Sequence, residues 1–158
     1  MRNKLLIILV FFIFSACEKI IKKEINSYDL ITENSKVVIS IKNIGKFKNS
    51  IDNNGYLNSL VNSNLTIKNL VSQISKINDD KEIVIGLYEF DGLLQYDIIG
   101  LEITNDSITD KKLKYDKIDI ISSNNKLIPL INKNYFGKKF QKINQTNMNF
   151  SVALDSSY

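Results

Sequence analysis

Glu82-Ile-Val-Ile-Gly-Leu-Tyr-Glu-Phe90, Asp91-Gly92, then Leu93-Leu-Gln-Tyr-Asp-Ile-Ile-Gly-Leu-Glu-Ile103 is the stretch that decides the fold. Two apolar, β-branched and aromatic runs flank an Asp-Gly pair. That pair is a strong signal for a two-residue hairpin turn, because both central positions need positive φ. Pairing about the turn sets Leu87 opposite Tyr96 and Ile85 opposite Ile98. One face then carries Ile83, Ile85, Leu87, Leu94, Tyr96 and Ile98, and is expected to pack on helices. The other carries Val84, Tyr88, Phe90, Gln95, Asp97 and Ile99, and is expected to be mixed and wetted. A slip of one residue would exchange the two faces, so the pattern fixes the register.

Upstream, Lys36-Val-Val-Ile-Ser-Ile-Lys42 reads as a strand with Val37, Ile39 and Ile41 on one face. Ile44, Phe47 and Ile51 recur at helical spacing, and Gly55 is expected to terminate that helix. Tyr56, Leu57, Leu60 and Val61 suggest a second short helix. Asn64 is placed to cap a third over residues 65–77, whose Ile67, Leu70, Val71, Ile74 and Ile77 form one apolar stripe. Downstream, Thr104 to Asp110 is a polar turn. The second half of Lys114–Ser122 is a strand. Pro129 keeps Leu127–Ile131 off a central strand position. Residues 133–147 are basic and irregular. Asn149 to Leu154 alternates as a last strand. This order predicts an α+β domain: an antiparallel sheet with helices on one face.

The first residues are different in kind. Met1-Arg-Asn-Lys4 is basic, Leu5 to Phe14 is unbroken apolar, and Ser15-Ala16-Cys17 follows. This is the pattern of a secretory signal, and the run is too short for a spanning helix, which needs about 20 residues. Phe14-Ser15-Ala16-Cys17 resembles the lipobox of bacterial lipoproteins. The resemblance implies cleavage between Ala16 and Cys17 and acyl chains on Cys17. Two or more chains hold a protein stably on a membrane, each buried CH₂ contributing about 0.8 kcal/mol. Residues 30–105 resemble envelope lipoproteins of flavobacteria, in which a strand ending in Lys-Asn precedes a helical stretch and a hairpin. Surface-exported lipoproteins of the Bacteroidota often carry an acidic cluster just after the cysteine; here Glu18 is followed by lysines, so the resemblance implies an outer-membrane position facing the periplasm. The expected organisation is signal peptide 1–16, lipidated tether 17–30, α+β domain 31–147, and a strand in 148–158 that opens a truncated second module.

Composition limits the chemistry. The 158 residues contain no His, and Cys17 is the single cysteine. Imidazole bases, Ser-His triads, intrachain disulfides and Cys/His metal sites are therefore excluded. Among the six glycines no phosphate-binding loop occurs. The net charge of +4 falls to +2 once Arg2 and Lys4 leave with the leader, too little to argue for nucleic acid. The heavy use of Asn, Ile and Lys fits an AT-rich genome.

Carboxylates are the remaining catalytic candidates: Glu89, Asp91, Asp97 and Glu102. A glycosidase pair must face across a cleft about 5–10 Å wide. Asp91 is better read as the turn residue, and Asp97 and Glu102 as the wet edge of the mixed face. Asn105-Asp106-Ser107 and Asp110 lack the calcium-loop pattern and read as a turn. Lys138 and Lys139, with Tyr135 and Phe140, form a basic–aromatic patch suited to an anionic glycan or lipid surface.

The sequence therefore points to a lipid-anchored envelope module without catalytic residues, metal or cofactor. Its expected partners are the membrane, through Cys17, and an envelope protein or glycan. The competing readings are a carboxylate-dependent hydrolase acting on envelope glycans and the N-terminal piece of a larger lipoprotein.

Overall fold

The computed structural model describes residues 25–108, 110–124 and 150–155. The signal peptide, Cys17 and the patch residues Tyr135, Lys138, Lys139 and Phe140 lie outside them. The described chain is α+β. Six strands form one open antiparallel sheet: β1 (Val37–Ile41), β2 (Ile83–Phe90), β3 (Leu93–Leu101), β4 (Lys111–Tyr115), β5 (Ile118–Ser122) and β6 (Phe150–Leu154). Their spatial order is β4-β5-β3-β2-β1-β6. Three helices, α1 (Ile44–Asp52), α2 (Gly55–Ser63) and α3 (Leu65–Ser75), connect β1 to β2.

The hairpin forms as its sequence dictates. Asp91 and Gly92 take φ values of +53° and +74°, and Leu87 faces Tyr96 while Ile85 faces Ile98. Each helix starts on an asparagine: the side chains of Asn43, Asn54 and Asn64 accept from backbone N–H groups of the first turns, satisfying donors that have no partner within the helix. Gly55 does not terminate a helix; it is the first residue of α2. Asn53 closes α1 instead, donating its N–H to the carbonyls of Asn49 and Ile51.

The first half of Lys114–Ser122 is also extended. Strand β4 begins at Lys111 and turns through Asp116, at φ +56°, into β5. An aspartate tolerates that left-handed conformation, which is why no glycine marks the turn. Lys111, Lys112 and Lys114 put three charges on this edge strand, a feature that discourages edge-to-edge association.

The helix face holds the larger core. Leu70, Ile74 and Ile77 pack with Ile41, Ile83, Ile85, Ile98 and Ile121. The opposite face is not wet. Residues 25–35 lie across it, bringing Leu30 and Ile31 onto Val38, Val84, Ile99 and Ile120 in a second apolar cluster. The expected tether is therefore shorter than 17–30. Ser27–Leu30 forms a 3-10 turn capped reciprocally by Asn26 and Asp29, and Leu30 is fully buried. The polar residues Asn26, Ser27 and Asp29 hid this, because Tyr28 and Leu30 alone are too few to show a period.

The closing strand also differs from expectation. β6 pairs along the whole of β1, Val37 with Leu154 through Ile41 with Phe150. Its described residues thus extend the sheet of this domain rather than open a second module, since the ladder satisfies their backbone groups.

Gly86 is what lets residues 31–35 lie close to the sheet. A Cβ placed there would stand 2.6 Å from Ser35 Oγ and 3.3 Å from Ile31 Cγ2. Ser35 is 1% exposed and has little room to retreat. We expect Gly86→Ala to lower stability by about 1–3 kcal/mol, the range for overpacking, seen as a lower urea midpoint. Adding Ser35→Ala should recover part of that loss. Strictly additive effects would show that Ser35 is not the obstacle.

Candidate functional site

Two features of the fold carry chemistry beyond packing: a polar node on one side of the sheet and an apolar groove on the other.

The node is centred on Asp97. Its side chain is 1% exposed. In the register it lies beside Gly86 on one strand and Ser122 on the other. Three hydroxyls donate to it: Thr32 to Oδ2, and Tyr88 and Ser122 to Oδ1 at 3.2 and 2.6 Å. Ser122 Oγ in turn accepts the Asn124 N–H at 3.2 Å. The carboxylate thus ties residues 31–35, β2 and β5 to β3. Gly86 makes the contact possible, because the segment that supplies Thr32 passes over the missing side chain.

Burial raises the Asp97 pKa above the ordinary carboxylate value, and the hydrogen bonds from Ser122, Thr32 and Tyr88 oppose this. The Tyr88 hydroxyl is raised as well, first by burial and then by the Asp97 charge. The sign for stability follows. The folded state holds the Asp97 proton more tightly than the unfolded chain does. That contribution is complete below the unfolded pKa, near 4, and fades as pH rises through the folded one. The Tm of the wild type relative to Asp97→Asn should therefore be highest in acid and decline towards neutral pH. A difference that is flat from pH 4 to 7, or that grows, would contradict the assignment.

A second node sits at the opposite face. Tyr96 Oη donates to Asp110 Oδ2 at 2.6 Å, and Gln73 Nε2 donates to Asp110 Oδ1 at 3.0 Å. It joins α3 to β3 and to the residue before β4. Burial, then the bond to Asp110, raises the Tyr96 hydroxyl. Asp119, also buried, accepts from the Thr104 N–H and hydroxyl at 3.0 and 2.9 Å.

The carboxylates singled out from the sequence do not converge. Asp97 is sealed on the face covered by residues 25–35. Glu89 pairs with Leu94 near the hairpin tip, on the helix side of the sheet, and is exposed. Glu102 is exposed just after β3, at φ +49°. Asp91 is the turn residue. Asn105, Asp106, Ser107 and Asp110 form no cation cage: Asn105 Oδ1 accepts the Ser107 N–H, and Asp110 is engaged by Tyr96 and Gln73. Among the described residues no group of three or more carboxylate, cysteine or histidine side chains can hold a metal ion.

The groove lies between the helices and the sheet. Its volume is about 350 Å³, within the size range of small-molecule sites. The floor is Ile39, Ile85 and Leu87; α2 supplies Leu57, Leu60 and Val61; α1 and α3 form the walls. Among the described residues Lys46 and Ser50 are the only polar ones in the lining. They stand one turn apart on α1, and Ser50 Oγ donates to the Lys46 carbonyl at 2.9 Å. The neighbouring Lys48 is committed elsewhere, to Asp79 at 2.7 Å and to the Ile77 carbonyl at 3.2 Å.

The groove stays open because α2 does not close on the sheet. No residue of α2 is fully buried, and Leu60 is 51% exposed. The spacing of Leu57, Leu60 and Val61 shows the helix but not what its apolar side faces. Nothing in the spacing distinguishes a helix that packs from one that stands off.

Compared with protein-family models, with curated proteins and with solved structures, the chain finds no match. Among the described residues no helix is long and apolar enough to cross a membrane.

Proposed function

We propose that this protein is a lipid-anchored envelope module that binds an apolar ligand and performs no chemistry on it. The observation that carries the binding role is the groove: a space of about 350 Å³ whose described lining is almost wholly aliphatic and aromatic. Water gains little in such a space and an apolar chain gains its transfer free energy. The observation that carries the anchor is the sequence Phe14-Ser15-Ala16-Cys17 behind its apolar run. An anchor of this kind holds the groove beside a membrane, where apolar ligands are concentrated. An outer-membrane position facing the periplasm fits the lysines that follow Glu18.

Two measurements test the proposal. In protein extracted from its native membranes, the N-terminal peptide should begin at Cys17 and carry two or three acyl chains; an unlipidated peptide would remove the anchor. In those same membranes, a lauryl alcohol bearing a photoreactive diazirine should label peptides within residues 44–75. Val61→Trp places a large ring in the groove and should reduce that labelling about tenfold, the factor that corresponds to about 1.4 kcal/mol of lost affinity. Unchanged labelling would exclude the groove as the site.

A further inference from the structure

The polar residues of the groove are not scattered, and this restricts its ligand. Lys46 and Ser50 stand on one edge of α1, while the floor and the other walls are apolar. Among the described residues Lys46 is the one charged residue in the lining, and no carboxylate lines it. A wholly apolar ligand would leave that cation unused at the rim. A cationic amphiphile would meet like charge there.

We propose that the groove takes a single acyl chain with an anionic head group, its chain between α2 and the sheet and its head at Lys46. The inference rests on the reading of the groove as a ligand site and adds the class of ligand. The site divides the work as amphiphile sites must. Apolar walls hold the chain by its area, without regard to identity. The Lys46 ammonium group orients the head, the part that carries specificity; the Ser50 proton is engaged by the Lys46 carbonyl. The neighbouring lysine cannot substitute, because its ammonium is held by Asp79 and the Ile77 carbonyl. A carboxylate or phosphate monoester on one chain meets these requirements. A two-chain lipid presents a second chain for which the groove has no matching wall.

The test compares two photoreactive probes on the full chain in its own membranes: laurate and lauryl alcohol, each with a diazirine near the chain end. Both carry the same chain, so they differ only at the head. Laurate should label residues 44–75 about threefold more than the alcohol, the ratio expected of a partly exposed charge contact. Lys46→Glu should abolish that advantage, and Lys46→Arg should keep it. Amide-exchange protection of β2 and β3 checks that each variant is folded. Equal labelling by the two probes, unaffected by Lys46→Glu, would overturn the anionic head while leaving an apolar ligand site. Labelling of residues 44–75 by neither probe would overturn the ligand site itself, the result expected if another part of the chain, residues 125–149 included, fills it.

Discussion

Asp97→Ala is expected to lower stability by about 3–5 kcal/mol. The substitution removes the acceptor of three hydroxyls, those of Thr32, Tyr88 and Ser122, in a site that is 1% exposed. Leaving a buried donor unsatisfied costs about 1–3 kcal/mol. The three losses do not simply add, since Ser122 can turn to the Asn124 carbonyl, 3.2 Å away. A domain of this size has roughly 5–15 kcal/mol in total, so the variant should melt at least 10 °C lower by circular dichroism. Asp97→Asn keeps an acceptor at the same place and should lose less. If Asp97→Ala melted within two or three degrees of the wild type, the node would not hold residues 31–35 to the sheet.

Leu30→Ala is expected to cost about 2–5 kcal/mol, the range for truncating a fully buried leucine. The sequence makes this residue the end of the lipidated tether; the structure places it in the second apolar cluster, with no solvent exposure. The two assignments predict opposite outcomes. A tether residue would change stability by less than about 0.5 kcal/mol. Leu65→Ala is the matched control, because Leu65 is 74% exposed and its loss should be nearly neutral. Urea titration of the two variants decides the matter. Equal midpoints would return residues 25–30 to the tether.

The covered second face also explains why the hairpin was only half legible. Ile83, Ile85, Leu87, Tyr96 and Ile98 alternate cleanly, so the helix face followed from the period. The other face mixes Val84, Tyr88 and Ile99 with Asp97. A mixed strand face reads as solvated, because a lone carboxylate is rarely buried unless paired. Here its partners are hydroxyls from residues 65, 9 and 25 positions away in the chain. No local pattern shows partners at such separations. The groove escaped the sequence for a related reason: Leu57, Leu60 and Val61 have core spacing, and only the position of α2 leaves them lining a space.

The sequence by itself determined the elements whose cause is local. The Asp91-Gly92 turn follows from positive φ, the register from an apolar alternation of period two, and the start of α3 from Asn64 as acceptor for orphan N–H groups. It determined also the absence of imidazole chemistry and of a disulfide within these 158 residues, which is a matter of composition. Only the tertiary structure decided what lies on each face of the sheet. Burial of Asp97, capture of Leu30, pairing of β6 with β1 and the open space under α2 each depend on groups far apart in the chain. Their contact free energies exist only after the chain has closed.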